Sequence, residues 1–168
     1  MVAVVVRLPT TGTLFGPRIR AHAGSKLTSV PNWRPSRNRV DLLALVEGLP
    51  HPALAEVLMM WQVHYGLPAH VLGDPPNALI LQVPLERAPS PIDNLLRMDA
   101  DLRVLGNIME GDAVEQWIEC DSRDAAEALV AKVRGAVGGA TVDIAEPRPK
   151  DREAWEMLRA TQALLGMT

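Results

Sequence analysis

The side chains best suited to metal binding or nucleophilic chemistry in this chain are His51, His64, His70 and the single Cys120. Neutral imidazole and thiolate groups bind zinc, and a Cys–His pair can form a nucleophilic site. The spacings of thirteen and six residues between these histidines match no compact zinc pattern. Cys120 occupies a strand position that points toward the core, where thiols are commonly inert. We therefore expect no metal and no cofactor.

Carboxylates form a second candidate group, because two neighbouring acids can share general acid–base work. Asp99, Asp101, Glu110 and Asp112 fall close together, but they flank predicted turns and are interpreted as solvated turn residues. Residues 24–26 (Gly-Ser-Lys) are only the tail of a phosphate-binding loop, whose first glycine is missing. No nucleotide-binding, hydrolase or metalloprotease motif occurs, so no catalytic residue is assigned.

The charge distribution is the most distinctive feature of the sequence. The first acidic residue is Asp41, and residues 1–40 contain seven Lys or Arg, although the net charge of the chain is −3. Such a segment can bind nucleic acid or an acidic protein surface. An import presequence is a further possibility, but Pro17, Pro31 and Pro35 prevent the continuous amphipathic helix that it needs.

The pattern divides the chain into an arm, residues 1–39, and a single α+β domain, residues 40–168. Residues 2–8 are β-branched and predict a strand, whereas residues 9–38 show little periodicity and predict an extended, irregular arm. The domain would contain a helical hairpin at 40–66 with helices at 40–49 and 53–65, a core at 77–146, and a last helix at 151–165.

The helix predicted at 53–65 is apolar on more than one face. Leu54, Val57 and Trp61 define one stripe, while Met59, Met60 and Val63 lie on other faces. Helices that are apolar all round are ordinarily buried. The second apolar face is therefore expected to contact another layer of the protein or a partner chain.

Residues 77–146 predict the order β-α-β-β-α-β, with strands at 77–85, 101–109, 113–120 and 141–146 and helices at 90–98 and 122–137. This order is the split βαβ arrangement of ferredoxin-like folds. Strand alternation places three acids and one aromatic on the face without helices. This predicted acidic sheet face consists of Glu115, Trp117, Glu119 and Asp143.

The run VEQWIECDSRDAAEALV, residues 114–130, resembles the third strand and second helix of RNA-recognition modules. The resemblance is topological and covers roughly the 70 residues of the predicted core. Such modules stack bases on aromatic and basic residues of the open sheet. Here Trp117 matches one aromatic position, but Glu115 occupies another, and an acidic sheet repels RNA. We instead expect the acidic sheet face to bind the basic arm, from this chain or a second copy.

Composition restricts the remaining choices. An apolar fraction of 48% fits a folded protein, no apolar run approaches the roughly 20 residues of a membrane span, and one cysteine fits a reducing compartment.

We expect a non-catalytic assembly or adaptor subunit in the cytoplasm or in a large intracellular or virion-like assembly, binding a protein partner or a second copy. Alternatives are nucleic-acid binding through residues 16–39, and a small ligand-sensing or enzymatic domain. The expected partner-binding residues are Arg18, Arg20, Trp33, Arg34, Arg37, Arg39, Met59, Met60 and Val63.

Overall fold

The computed structural model describes residues 2–9, 16–34, 39–66, 68–72, 78–84, 103–136 and 138–166. These residues form a mixed α+β protein with an eight-stranded antiparallel sheet and four helices. In chain order the elements are β1 (Val2–Pro9), α1 (Gly16–Ala21), β2 (Lys26–Arg34), β3 (Arg39–Glu47), α2 (His51–Tyr65), β4 (Ala69–Leu72), β5 (Ala78–Pro84), β6 (Arg103–Glu110), β7 (Ala113–Cys120), α3 (Arg123–Ala136), β8 (Thr141–Ala145) and α4 (Pro149–Leu164).

The sheet has two halves with the same internal order, joined by the pairing of β2 with β6. Across the sheet the strands run β4-β5-β3-β2-β6-β7-β1-β8. Each half contains a strand pair (β2–β3 or β6–β7), a following helix (α2 or α3), and a following edge strand (β4 or β8). One more strand, β5 or β1, lies between the pair and the edge strand. β5 follows β4 directly in the chain, whereas β1 precedes β2 but lies between β7 and β8, so the second half receives this strand from the N-terminal end of the sequence.

The two faces of the sheet are covered by different helices. On one face α1 and α2 pack over the first half, where Ile19, Leu54 and Trp61 meet β3 and β5, and α3 packs over the second half. On the opposite face α4 places Trp155 and Leu158 against residues from both halves. Within the described residues the protein is therefore three-layered only where α4 crosses the middle of the sheet.

The predicted helix at 40–49 is wrong, because this segment is strand β3. Leu42 and Ala44 pack beneath α2, while Leu43 faces the side covered by α4. A strand buried on both faces is a continuous apolar run, which periodicity alone does not separate from a short buried helix. The helices predicted at 53–65, 122–137 and 151–165 are confirmed as α2, α3 and α4.

The described part of residues 1–39 is not a separate extended arm. It contributes β1 and β2 to the interior of the sheet, with helix α1 before β2. Val4, Val5 and Val30 are completely buried. The prediction was wrong because β2 includes Pro31 and lacks the alternation of a half-buried strand.

The predicted sheet of residues 77–146 is also wrong in its strand pairing. β5 pairs with β3 and β4 in the first half, and β1 takes the place beside β7 and β8. The hairpin of β6 and β7 is confirmed. The helix predicted at 90–98 lies outside the described residues. Local pattern identifies strands and their faces, but not which distant strand becomes the neighbour.

The pairing between the two halves is short. β2 and β6 pair from Lys26 with Glu110 only as far as Ser29 with Asn107. The next residues of β2 include Pro31, which has no N–H to donate to a neighbouring strand. Beyond Ser29 the backbone carbonyls of β2 that do not pair with β3 need donors from another source.

Helix α4 supplies those donors. Arg159 donates from Nη1 to the carbonyl of Pro31 (3.0 Å) and from Nη2 to the carbonyl of Val104 (2.9 Å), so one guanidinium joins β2 to β6. Gln162, which is 1% exposed, donates to the carbonyl of Val30 (3.0 Å). Burial lowers the pKa of Arg159, but a guanidinium stays charged in proteins. We call this set of contacts the seam.

Replacing Arg159 with Gln is expected to lower the free energy of unfolding by roughly 2–4 kcal/mol, because two carbonyls lose charged donors. Lysine at this position should recover only part of the loss, since one ammonium lacks the planar fork that spans two strands. Urea denaturation followed by circular dichroism measures both effects. Arg123→Gln, on the exposed side of α3, is the control and should change stability by less than about 0.5 kcal/mol. Equal stability of the Arg159→Gln and Arg123→Gln variants would contradict the assigned role of the seam.

Candidate functional site

The predicted acidic sheet face lies on the side of the second half opposite α3. Ile118 and Cys120 pack beneath α3, whereas Trp117 packs on the other side against Trp155 of α4, with ring centroids 6.3 Å apart. Trp117 is only 5% exposed, so it is part of the core and not an open stacking platform. Glu115 and Glu119 are partly exposed, and Asp143 is exposed on edge strand β8.

Beside α4 this face forms a groove of about 600 Å³, which we call the charged groove. Ile108 and Trp117 are its buried apolar residues, and β1, β7 and the end of β8 form the side away from α4. The groove is lined by Arg7, Ile108, Glu110, Gly111, Ala113, Glu115, Trp117, Ala145, Glu146 and Arg148.

Arg7 brings a positive charge from the N-terminal segment onto the acidic sheet face. Its Nε donates to Glu115 (2.7 Å) and its Nη1 to Asp143 (3.0 Å), so one guanidinium bridges strands β7 and β8. The Trp117 indole N–H points to the second oxygen of Glu115 at 3.4 Å. We expected basic residues of the N-terminal segment to contact this face, and Arg7 is one that does so within the chain.

A second charged cluster fixes the start of α4. Asp151 is 2% exposed and accepts from Lys26 (2.6 Å) and from Arg148 (2.7 Å), while Arg148 lies 3.9 Å from Glu110. Burial alone would raise the pKa of Asp151, but the hydrogen bonds from Lys26 and Arg148 outweigh it and hold the pKa below its usual value. The hydrogen bond to Asp151 likewise raises the pKa of Arg148. Lys26 belongs to β2, so this cluster anchors α4 to the central strands.

The docking of α4 also requires a glycine beneath it. A Cβ on Gly106 of β6 would overlap the indole ring of Trp155, which is 3% exposed. The indole N–H of Trp155 donates to the carbonyl of Asn107 (3.3 Å). Gly106 therefore allows the close approach of Trp155 that sets the height of α4 above the sheet.

The expected partner-binding residues are dispersed over the structure. Arg18 of α1 is paired with Glu56 of α2 (2.6 Å), and Arg20 is exposed at the end of α1. Trp33 and Arg34 belong to β2 and Arg39 to β3, but their side chains, like residue Arg37 as a whole, lie outside the described residues.

The three apolar residues of α2 have different environments. Met60 is partly buried and receives a contact from the Arg18 guanidinium, whereas Met59 is 61% and Val63 is 80% exposed. The prediction was that this face contacts another layer or another chain, and within the described residues such a contact is seen for Met60. Met59 and Val63 follow Ala55 at helical spacing, so an apolar stripe on the outside of α2 has no covering layer in the described part of the chain.

Sequence reasoning missed Arg7 and Arg148, the two cations of the charged groove. The signal was available for Arg7, because alternation along β1 places it on the same face as Val5 and therefore on the acidic sheet face. Arg148 follows Pro147 in a connection, and no periodicity indicates where such a side chain points.

Among the described residues no three His, Cys, Asp or Glu side chains lie close enough to hold a metal ion. None of the helices in that part of the chain combines the length and the apolar character needed to cross a bilayer. Comparison of the chain with protein-family models, curated proteins and solved structures gave no match.

Substituting Gly106 with Ala is expected to destabilise the protein by roughly 1–3 kcal/mol, because the added methyl group overpacks the Trp155 site. Unfolding in urea and tryptophan fluorescence report the change. Gly135→Ala on α3 is the matched control: no atom lies within 4 Å of its Cβ position, and alanine there should be neutral or slightly stabilising. A Gly106→Ala variant as stable as the wild type would show that Trp155 does not need this approach.

The Asp151→Asn variant should lose roughly 1–3 kcal/mol at pH 7, since it removes a buried carboxylate with two cationic partners. The folded-state pKa of Asp151 is depressed, so this stabilisation is present above about pH 4 and is lost as the pH falls further. The difference in free energy of unfolding (the stability gap) between wild type and variant, measured by urea unfolding at pH 7, 5, 4, 3 and 2.5, should therefore shrink in acid. Glu153→Gln, exposed on the same helix, should show no such gap, and a constant gap for Asp151→Asn would contradict the pKa direction.

Proposed function

We propose that this chain is a non-catalytic assembly subunit that binds a partner chain through the outer stripe of α2. The observation that carries the proposal is the exposure of Val63 and Met59, 80% and 61%, four residues apart on one helix. Ala55, one turn earlier, is also exposed, so the three side chains form a continuous apolar line.

Burying this stripe would be favourable because its members carry no charge. Each buried Val or Met side chain contributes roughly 1.5–3 kcal/mol. The neighbouring charge of Glu56 is already neutralised by Arg18 within the chain, so a partner would not leave that carboxylate unpaired. An amphipathic groove or a second copy of the stripe is the complementary surface.

The nucleic-acid alternative receives less support from the described residues. Arg7 and Arg18 make ion pairs with acids of the same chain, which reduces the positive charge available to phosphates. The same ion pairs support the view that the basic N-terminal segment serves acidic protein surfaces.

We further propose that the second half of the sheet is a ferredoxin-like unit whose first strand, β1, is separated from the rest by the inserted residues 10–102. The order β8-β1-β7-β6, with α3 between β7 and β8, supports this interpretation. Folds of this class host many functions, so the assembly role depends on α2 and not on the topology.

The Met59→Gln/Val63→Gln double variant is expected to lose association while keeping its fold. Light scattering after size exclusion should give a mass above that of the 18.3 kDa chain for the wild type and the monomer mass for the variant. Met157→Gln, a partly exposed methionine on the opposite face in α4, is the control and should still associate.

A photo-crosslinking residue at position 63 extends the test to partners other than a second copy. In native extract it should give a discrete crosslinked species, whereas the same residue at exposed position 128 on α3 should not. A wild-type chain that stays monomeric at all concentrations and forms no crosslink at position 63 would refute the assembly proposal.

A further inference from the structure

The charged groove contains residues that the assembly proposal does not use, and it lies on the face of the sheet opposite α2. It combines an apolar floor with charged walls: Ile108 and Trp117 are 2% and 5% exposed, and Ala145 continues the floor toward β8. A cavity of about 600 Å³ is within the range of small-molecule sites.

Both cations of the groove already have carboxylate partners. Arg7 binds Glu115 and Asp143, and Arg148 hydrogen-bonds to Asp151. An incoming anion would compete with these carboxylates and approach them closely. The arrangement therefore disfavours an anionic ligand.

Two carboxylates of the groove, in contrast, remain available to bind a cation. Glu146 lines the groove and has no hydrogen-bond or ion-pair partner among the described residues, and Glu110 is held only loosely, 3.9 Å from Arg148. The groove and its immediate supports contain five carboxylates against three cationic groups. The carboxylates are Glu110, Glu115, Glu146, Asp143 and Asp151, and the cations are Arg7, Arg148 and Lys26.

Two cationic side chains of the chain itself already bind to carboxylates at or beside this groove. Arg7 seats its guanidinium between two carboxylates with its stem along the sheet, and Lys26 seats an ammonium against Asp151 beside the groove. A further organic cation would repeat this pattern at the two carboxylates that remain available. The described acids do not cluster in threes, which is unlike the oxygen cages that hold divalent metals.

From this we infer that the charged groove binds an organic cation, a primary alkylammonium whose aliphatic stem lies over Ile108 and Trp117 and whose ammonium group is held by Glu146 and Glu110. The apolar stem gains by leaving water, and the ammonium gains from two carboxylates that lack a close partner. The inference rests on the groove alone and is independent of the stripe on α2.

The test is a titration of the full chain followed by ¹H–¹⁵N NMR, with the indole N–H of Trp117 as a local reporter assigned from Trp117→Phe. The probes are 1,5-diaminopentane and Nα-acetyl-lysine methylamide. The neutral control is Nα-acetyl-norleucine methylamide, which has the same stem without the ammonium. Both cations should shift the Trp117 resonance with saturable, salt-sensitive binding, and the neutral compound should not.

Which cation binds more tightly distinguishes a free diamine from a lysine side chain of another protein, and either ranking supports the site. Glu146→Gln and Glu110→Gln should each weaken binding roughly 2- to 5-fold, and the double variant more than either. Glu127→Gln on α3, which lies on the other side of the sheet, should bind like the wild type. All three sites are exposed, so the dispersion of the amide spectrum verifies that each variant is folded.

Three results would overturn the inference. One is no saturable shift of the Trp117 resonance at 50 mM of either cation. Another is equal binding of the norleucine compound, which would indicate apolar contact without charge recognition. The third is undiminished cation binding by the Glu146→Gln/Glu110→Gln double variant, which would place the cation elsewhere.

Discussion

The guanidinium of Arg159 holds together two halves of a sheet whose own backbone pairing stops early. β2 and β6 share a ladder of only four residue pairs, and Pro31 removes a donor where the ladder would continue. A charged side chain from α4 supplies the missing hydrogen bonds to both strands. The sheet therefore depends on a helix for its continuity, and the helix depends on the sheet for acceptors that pair with its partly buried Arg159. This mutual dependence explains why α4 carries polar residues on its buried side, since Asp151, Arg159 and Gln162 all satisfy groups of the strands below.

The position of α4 also determines which surfaces are available for binding. Its N-terminal end is fixed by Asp151 and its middle by the contact of Trp155 with Gly106, so it covers the central strands, and no other described helix covers the outer part of the same face. The charged groove is that open part. The stripe on α2 is on the opposite face and is independent of α4. One chain thus presents a charged concave surface and an apolar convex surface on opposite sides of a single sheet.

Periodicity and alternation were sufficient to predict local features from the sequence. They identified the helices α2, α3 and α4, the β6–β7 hairpin and the side of β7 on which Trp117 lies. They could not separate β3 from a helix, because Leu42, Leu43 and Ala44 are apolar on both faces. Nor could they predict that β1 lies between β7 and β8 and that β5 lies between β3 and β4, since strand neighbours are set by tertiary packing and not by local preference. The charged groove was not predicted for the same reason. Alternation placed Glu115 on this face, but its partner Arg7 is 108 residues away in the chain.

The position of β1 between β7 and β8 affects how the chain folds during its synthesis. Val2 pairs with Cys120, so strand β1 finds its partners only after more than a hundred further residues have been synthesised. At typical rates of translation this delay is on the order of ten seconds. During it the segment VAVVV, which is β-branched, uncharged and free of proline, has no native neighbour on either edge. The nascent chain is therefore prone to aggregate through β1 before β7 and β8 appear, and protection of this segment by a chaperone matters more here than for a strand that pairs locally.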